Sequence, residues 1–347
     1  MAKRFVFMGA GAVGSYVGGL IAKAGKDVTL IDPWPDHINT IRANGLSIGG
    51  TQGEHHATPK ALHLHEVQSL LNAPADVAIL CTKSYDTEWA TTLIRDYLAP
   101  DGYVVSLQNG INEERIAAIM GWGRTVGCVV GGIGVMLMEP GRVVRTQSPG
   151  GPGATVFKVG EPHGRETSRV RELVDLFSIV DSAKPTLNLW GERWSKLVVN
   201  SMGNPVSAIS GLNGRETAAD PIARRIITRL AGEGVAVGEA LGYSIEPIRG
   251  LDAARWKAGL GGEGLEDLEL ALAQAAERWT GEEALTSTHQ DVVKGRRTEV
   301  DYMNGLIADK GREVGVPTPA NDAIVTVMKE IERGATVPAV GNLARVG

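Results

Sequence analysis

Apolar residues in the first half of the chain fall in short runs, "RFVFM" (4–8), "DVTLID" (27–32), "DVAILCT" (76–82) and "YVVSLQN" (103–109). Helical patterns separate them, one reaching about Ala24 and another starting near Tyr85. Strand runs alternating with helical stretches predict βαβ units, a parallel sheet with helices on both faces. Between about 125 and 160 the pattern is β-rich with glycine turns, which predicts antiparallel strands extending the same sheet. A helix near 165–180 and a short strand complete that part. From Leu189 onward strand patterns all but vanish, and helical periods cover 190–207, 215–241, 265–279, 287–294, 299–313 and 320–333. The pattern thus predicts an α/β domain over 1–186 and an all-helical domain over 187–347, packed closely with a cleft between them. A length of 347 residues agrees with two domains.

Composition narrows the function classes. Net charge is −5 and no basic block is present, which argues against nucleic acid as a partner. The two cysteines, Cys81 and Cys128, stand singly in apolar runs, so neither a disulfide framework nor a metal site is indicated and a reducing cytosol fits. Lys3 and Arg4 before "FVFMGAGAVGSYVGGLIA" imitate a secretory signal. The stretch is rich in glycine and runs on into a regular strand and helix pattern, so the expectation is a soluble, cytoplasmic chain without a membrane partner.

"GAGAVG" places glycines at 9, 11 and 14 between an apolar strand and a helix, and the next strand ends in Asp32. This context makes the hexamer a dinucleotide fingerprint and the first domain Rossmann-type. Gly9 permits the tight turn, Gly11 lets backbone approach a pyrophosphate, and Gly14 permits close helix packing. The whole loop, Gly9, Ala10, Gly11, Ala12, Val13 and Gly14, is the expected cofactor cradle, with the helix N-terminus facing negative charge. A carboxylate at Asp32 accepts hydrogen bonds from ribose hydroxyls and repels a 2′-phosphate, which favours NADH. Lys83 is the remaining candidate cation near the cofactor. Asn109 sits at the carboxyl end of its strand, where ligands of open α/β sheets bind, although asparagine before glycine also serves as a plain turn former.

In "WSKLVVNSMGNPVSA" (194–208), Lys196, Asn200 and Asn204 recur every four residues in an otherwise apolar segment. A helix turns by about 400° in four residues, so the three share one face. The remaining circumference is apolar, so that face should meet protein or a cleft, where a buried lysine has a lowered pKa suited to proton donation. Pro205 should kink or end the helix. Further on, Thr288 with Asp291 and Thr298 with Asp301 match the capping-box spacing, predicting two helix starts around Gly295. One straight helix would hold Ser287 and Glu299 about 18 Å apart, whereas a reversal at Gly295 lets both point into one cleft. In isolation Glu299 could simply complement a helix macrodipole.

Together, "GAGAVG", "QNG" (108–110), "WSKLVVNSMGNP" (194–205) and "GRRTEVDYMNG" with "TPAND" (295–322) make the whole chain resemble the ketopantoate reductase (2-dehydropantoate 2-reductase) family. The resemblance implies a Rossmann domain, a helical domain and an active site between them. It implies hydride transfer from NAD(P)H to the keto carbon of a small 2-oxo acid, giving pantoate for pantothenate and coenzyme A synthesis. It places the catalytic lysine on Lys196, the substrate-binding glutamate on Glu299, and the amide and hydroxyl contacts on Asn109, Asn200, Asn204 and Ser287. NADPH is the cofactor expected from the family, against the NADH favoured by Asp32, because a basic residue usually follows the second strand where this chain has Asp32 and Pro33. A family substrate amide is here Ala284, and the segment 250–285 is longer than in compact members. A related NADH-dependent 2-oxo acid reductase with another substrate, and a non-catalytic NAD-sensing protein, are the competing readings. A homodimer is compatible with the resemblance.

Overall fold

The computed structural model describes residues 2–149, 154–277 and 285–347. The chain divides into two compact units, Met1–Leu189 and Trp190–Gly347, against an expected boundary after residue 186.

The first unit opens with β1 (Arg4–Met8), α1 (Ala12–Lys23), β2 (Asp27–Asp32) and α2 (Pro35–Asn44). Three short strands follow, β3 (Leu46–Gly50), β4 (His55–Ala57) and β5 (Lys60–His63). Then come β6 (Ala75–Leu80), α3 (Thr87–Arg95), β7 (Leu98–Ser106), α4 (Glu113–Met120) and β8 (Thr125–Val130). The unit ends with β9 (Val135–Glu139), β10 (Arg142–Arg145), β11 (Phe157–Gly160), α5 (Ser168–Phe177) and β12 (Ala183–Pro185).

Eight strands form the main sheet in the order β12-β11-β8-β7-β6-β1-β2-β5. The six from β8 to β5 run parallel, as the alternation of strands and helices requires. Successive side chains of β1 enter different cores: Phe5 and Phe7 join the cluster containing Val17 of α1 and Leu173 of α5, while Val6 and Met8 join Ala90 of α3 and Ile116 of α4. That division is the period of two of a strand buried on both faces.

The region 125–160 departs from expectation. Only β11 adds antiparallel to the main sheet; β8 joins it in parallel, and β9 and β10 leave it for a second sheet of order β4-β3-β10-β9. The sequence reading passed over β3 and β4, whose edge captures the β9–β10 hairpin through parallel β3–β10 pairing. Helix α1 packs against both sheets through small residues. A methyl on Gly18 would stand 2.7 Å from Leu30 of β2, and one on Gly19 would stand 2.6 Å from Leu46 and Ile48 of β3.

The second unit consists of helices. Its first, α6 (Leu189–Ser210), starts at the division and is followed by α7 (Gly214–Ala219), α8 (Pro221–Ala240), α9 (Ala253–Leu260) and α10 (Leu265–Glu277). The chain closes with α11 (Ser287–Val293), α12 (Asn304–Val314) and α13 (Pro319–Glu332). The predicted helix 215–241 is two: Asp220 caps α8 by accepting from the Ala223 amide at 2.8 Å, and Pro221 takes the first helical position, where its missing N–H costs nothing. Of the glycine-rich stretch 259–267, only 261–264 form a turn, the rest ending α9 and starting α10. Part of the long 250–285 segment, Ala284 included, lies outside the described residues.

Pro205 does not end α6, which runs on to Ser210. Proline removes the donor that would have served the carbonyl of Ser201. That carbonyl instead accepts a 2.9 Å hydrogen bond from Asn304 Nδ2, which also donates to Asn321 Oδ1 at 2.9 Å. Asn321 Nδ2 donates to Glu233 of α8 at 2.7 Å, and the Ala320 and Asn321 amides donate to the same carboxylate at 2.9 and 3.0 Å. Four helices are thus joined through one buried polar chain. Asn304→Leu removes the donor to both oxygens and should destabilise the helical unit by about 2–4 kcal/mol, since each stranded buried acceptor costs roughly 1–3. A thermal midpoint equal to wild type would show that the chain carries no such weight.

Candidate active site

In the first unit the strand-to-helix turn after β1 is built by its glycines. Gly9 has φ of +95°, and a methyl there would meet the Thr82 amide nitrogen at 2.9 Å. At Gly14 a methyl would stand 2.0 Å from the Gly9 carbonyl oxygen, so no side chain fits while the turn keeps its shape. Beside Gly11, by contrast, no described atom lies within 4 Å of where a methyl would stand. The backbone there is open to a bulky anion, and the turn leads into the N-terminus of α1, so the loop fits a dinucleotide pyrophosphate.

The loop is braced by His37, which the sequence reading did not single out. Ser15 Oγ donates to the Ala10 carbonyl at 2.7 Å and lies 3.0 Å from His37 Nε2, while the Gly141 amide donates to His37 Nδ1 at 2.9 Å. With Nδ1 accepting, the proton belongs on Nε2 and the ring is neutral. Burial pushes its pKa down, opposed by the Asp32 charge and a backbone bond to Ala10.

Asp32 ends β2, and its Oδ1 accepts from the Trp34 amide at 2.9 Å. Beyond it a cavity of about 990 Å³ opens between Pro33, Pro35, His63, Leu64 and the Glu88–Trp89 end of α3. The two loops at the carboxyl ends of β6 and β7 are clamped together. Gln108 Nε2 donates to the Thr82 carbonyl at 3.0 Å and to Thr87 Oγ1 at 2.9 Å. The Asn109 carbonyl accepts from Ser84 Oγ at 3.0 Å and from Asn112 Nδ2 at 2.8 Å. Lys83 and half-buried Asn109 therefore lie in one clamped assembly at the sheet edge where ligands of such sheets bind.

In the second unit, Lys196, Asn200 and Asn204 share one face of the unbroken α6. Asn200 is buried, and Lys196 and Asn204 are half-buried. Desolvation pushes the Lys196 ammonium down to about 8, with the positive charge of Arg249 adding to the shift. Glu299 is not among the groups that shift it.

Helix α11 is stapled to the same face. Asn204 Nδ2 donates to Ser287 Oγ at 3.3 Å, and Thr286 Oγ1 donates to the Asn204 carbonyl at 3.2 Å. The cap of α11 is Thr286, which accepts from the His289 amide, and not Thr288, which is buried within the first turn. The second predicted cap also differs. Thr298 donates through N and Oγ1 to Glu332 at 2.8 and 2.6 Å, and Asp301 binds Lys329 at 2.6 Å, so no α-helix starts there. A single 3-10 turn, Val300–Tyr302, follows Glu299, and α12 starts at Asn304. The reversal at Gly295 is present, with φ of +61° and the Arg296 amide bonded to the Asp291 carbonyl at 2.8 Å. Glu299 itself is buried.

Among the described residues no cluster of three His, Cys, Asp or Glu could hold a metal, and no helix is long and apolar enough to cross a membrane. The family models "Ketopantoate reductase PanE/ApbA" and "Ketopantoate reductase PanE/ApbA C terminal" match residues 5–160 and 188–332. A 2-dehydropantoate 2-reductase of Pyrococcus horikoshii is 32% identical over 95% of this chain and 97% of its own. One from Archaeoglobus fulgidus is 30% identical over 96% and 99%. Among solved structures, a PanE/ApbA family ketopantoate reductase from Ralstonia eutropha aligns with TM-score 0.77 at 27% identity, over 96% of this chain and 99% of its own. A D-mandelate dehydrogenase solved with NADH has the same fold, with TM-score 0.79 at 23% identity over 96% and 100%. With both halves of the sequence matched in order, the chain belongs to the ketopantoate reductase family and is an NAD(P)-dependent oxidoreductase acting on a CH–OH group.

Proposed function

We propose that this enzyme reduces a small 2-oxo acid to the 2-hydroxy acid, most concretely ketopantoate to pantoate for pantothenate and coenzyme A synthesis. The observation that carries the reading is Lys196, a desolvated ammonium with a pKa of about 8 on a face it shares with Asn200 and Asn204. Bound NAD(P)H supplies the hydride that reaches the keto carbon. Charge then builds on the keto oxygen, which Lys196 stabilises and protonates. Asn200, Asn204 and Ser287 orient the carboxylate and carbonyl, and Glu299 accepts a hydrogen bond from a substrate hydroxyl. The names of the archaeal relatives support ketopantoate as the substrate. Assay of the purified enzyme with ketopantoate and each cofactor tests the reading; absence of turnover with either would sink it.

The cofactor reading is NADH, held by the loop from Gly9 to Gly14 with Lys83 and Asn109 nearby. Asp32 ends β2 with a carboxylate, and the residues after it, "PWPDH", offer no cation for a 2′-phosphate. The cavity beside Pro33 suits the adenosine end. Wild type should prefer NADH, and Asp32→Ala should narrow that preference, as read from the ratio of kcat/KM values for the two cofactors. A wild-type preference for NADPH would overturn this role for Asp32.

Lys196 sets the alkaline side of the pH profile. Its protonated form is the acid, so kcat/KM for reduction should hold below pH 8 and fall as pH rises through about 8. Lys196→Ala should abolish that limb and lower turnover by a factor on the order of 10² to 10⁴, with dinucleotide affinity nearly unchanged. Unaltered turnover in the variant would remove Lys196 from the mechanism.

A further inference from the structure

Arg249 is the only non-glycine residue with positive φ among the described residues, at +51°. Gly250 follows at +77°, and Ile248 and Leu251 exchange backbone hydrogen bonds of 2.8 and 3.0 Å across them. Two positive φ values inside such a bridge define a tight hairpin turn whose first position favours Asn, Asp or Gly. An arginine there has the wrong shape for its backbone. Its side chain is what the position retains.

The turn is rigidly mounted. Ile248 is fully buried, and its carbonyl accepts from Trp256 Nε1 at 3.2 Å. Before it, Glu246 is tied to α6 by two bonds with Ser195, the neighbour of Lys196: its amide donates to Ser195 Oγ at 2.8 Å, and that hydroxyl donates to its carbonyl at 3.0 Å.

From this mount the guanidinium reaches α6 at Gly203, where a methyl group would come within 3.0 Å of Arg249 Nη2. Gly203 stands seven residues after Lys196, hence on the same face, next to Asn204. No described residue accepts a hydrogen bond from the guanidinium or forms an ion pair with it. Arg249 is an exposed residue whose guanidinium lies along the polar face of α6, and its charge acts on Lys196 of that face.

We propose that Arg249 binds the carboxylate of the 2-oxo acid, leaving Lys196 to the keto oxygen, and that Gly203 is small so that the guanidinium can lie against α6. The proposal rests on the reaction assigned above and adds the group that recognises the acid. A planar guanidinium meets a carboxylate through two parallel N–H donors, a match that a single ammonium cannot make. The charge of Arg249 also helps to lower the Lys196 pKa, as two nearby cations require.

Arg249→Asn tests this without harming the turn, because asparagine tolerates the left-handed region and the thermal midpoint should be kept or raised. In steady-state assays KM for ketopantoate should rise about 10- to 100-fold, with kcat changed less than about threefold, the scale of a lost charge-assisted bidentate contact. Gly203→Ala should move KM in the same direction. Calorimetry in the presence of oxidised dinucleotide supplies an arm independent of turnover: pantoate should bind the Asn variant at least about tenfold more weakly, while the neutral lactone of pantoate should bind both proteins alike. Unchanged KM and pantoate affinity in a folded Arg249→Asn protein would overturn the proposal. So would failure of wild type to bind any carboxylate. If wild type reduces no 2-oxo acid, the reaction assigned above fails, and the difference in pantoate affinity between wild type and variant still decides Arg249 by itself.

Discussion

A single backbone carbonyl, that of Ser201, governs the helical unit. Pro205 deprives it of its helical partner, and a buried carbonyl without a donor would cost about as much as a lost hydrogen bond. Asn304 supplies the donor and is itself held by Asn321, which is held by Glu233. Because that chain is complete, α6 runs through its proline unbroken, and the face from Lys196 to Asn204 remains one continuous surface. The motifs "YMNG" and "TPAND" thereby gain a physical reason that involves no chemistry: their asparagines carry the repair of a broken helical bond.

Charge is distributed with the same economy. Glu233 is buried with its carboxyl pKa raised by desolvation, against the pull of the two amides and one side chain that bond it. Arg145 is buried in the small sheet, with Asp181 at 2.5 Å as its counter-charge. Glu233 and Arg145 thus both come with partners. Lys196 is different: burial lowers its pKa, and the charge that adds to the shift is the like charge of Arg249. In the reading proposed above, the carboxylate of the substrate is the counter-charge of Arg249.

The parallel part of the main sheet was legible because strand and helix periods alternate cleanly from Arg4 to Asn109, and the glycine loop was legible because its spacing is tied to a specific turn. The recurrence of Lys196, Asn200 and Asn204 was equally visible, being a local property of one helix. What escaped was non-local. Strands β3 and β4 are only five and three residues long; β4 pairs with β3, and β3 in turn pairs with β10 nearly a hundred residues later. Pro205 leaves α6 unended because the donor to the Ser201 carbonyl comes from Asn304, far along the chain. Thr286 rather than Thr288 caps α11 because the start of that helix is set by its bonds to Asn204. Arg249 had a faint signal, an Arg-Gly pair flanked by Ile248 and Leu251 where a hairpin turn would normally place Asn-Gly, but nothing local says which helix its side chain meets.

The bracing of the glycine loop by His37 has a consequence of another kind. Its folded pKa lies below the ordinary 6.5, so the ring is neutral at neutral pH, and the stability it lends is complete above 6.5 and lost as pH falls through the folded value. A protonated ring has no lone pair for the Gly141 amide, and the link from the second sheet to the Ala10 carbonyl opens. The bracing of the glycine loop is therefore conditional on one imidazole staying uncharged. Acidity would loosen the glycine loop from inside the first unit, through a side chain some twenty residues away in sequence.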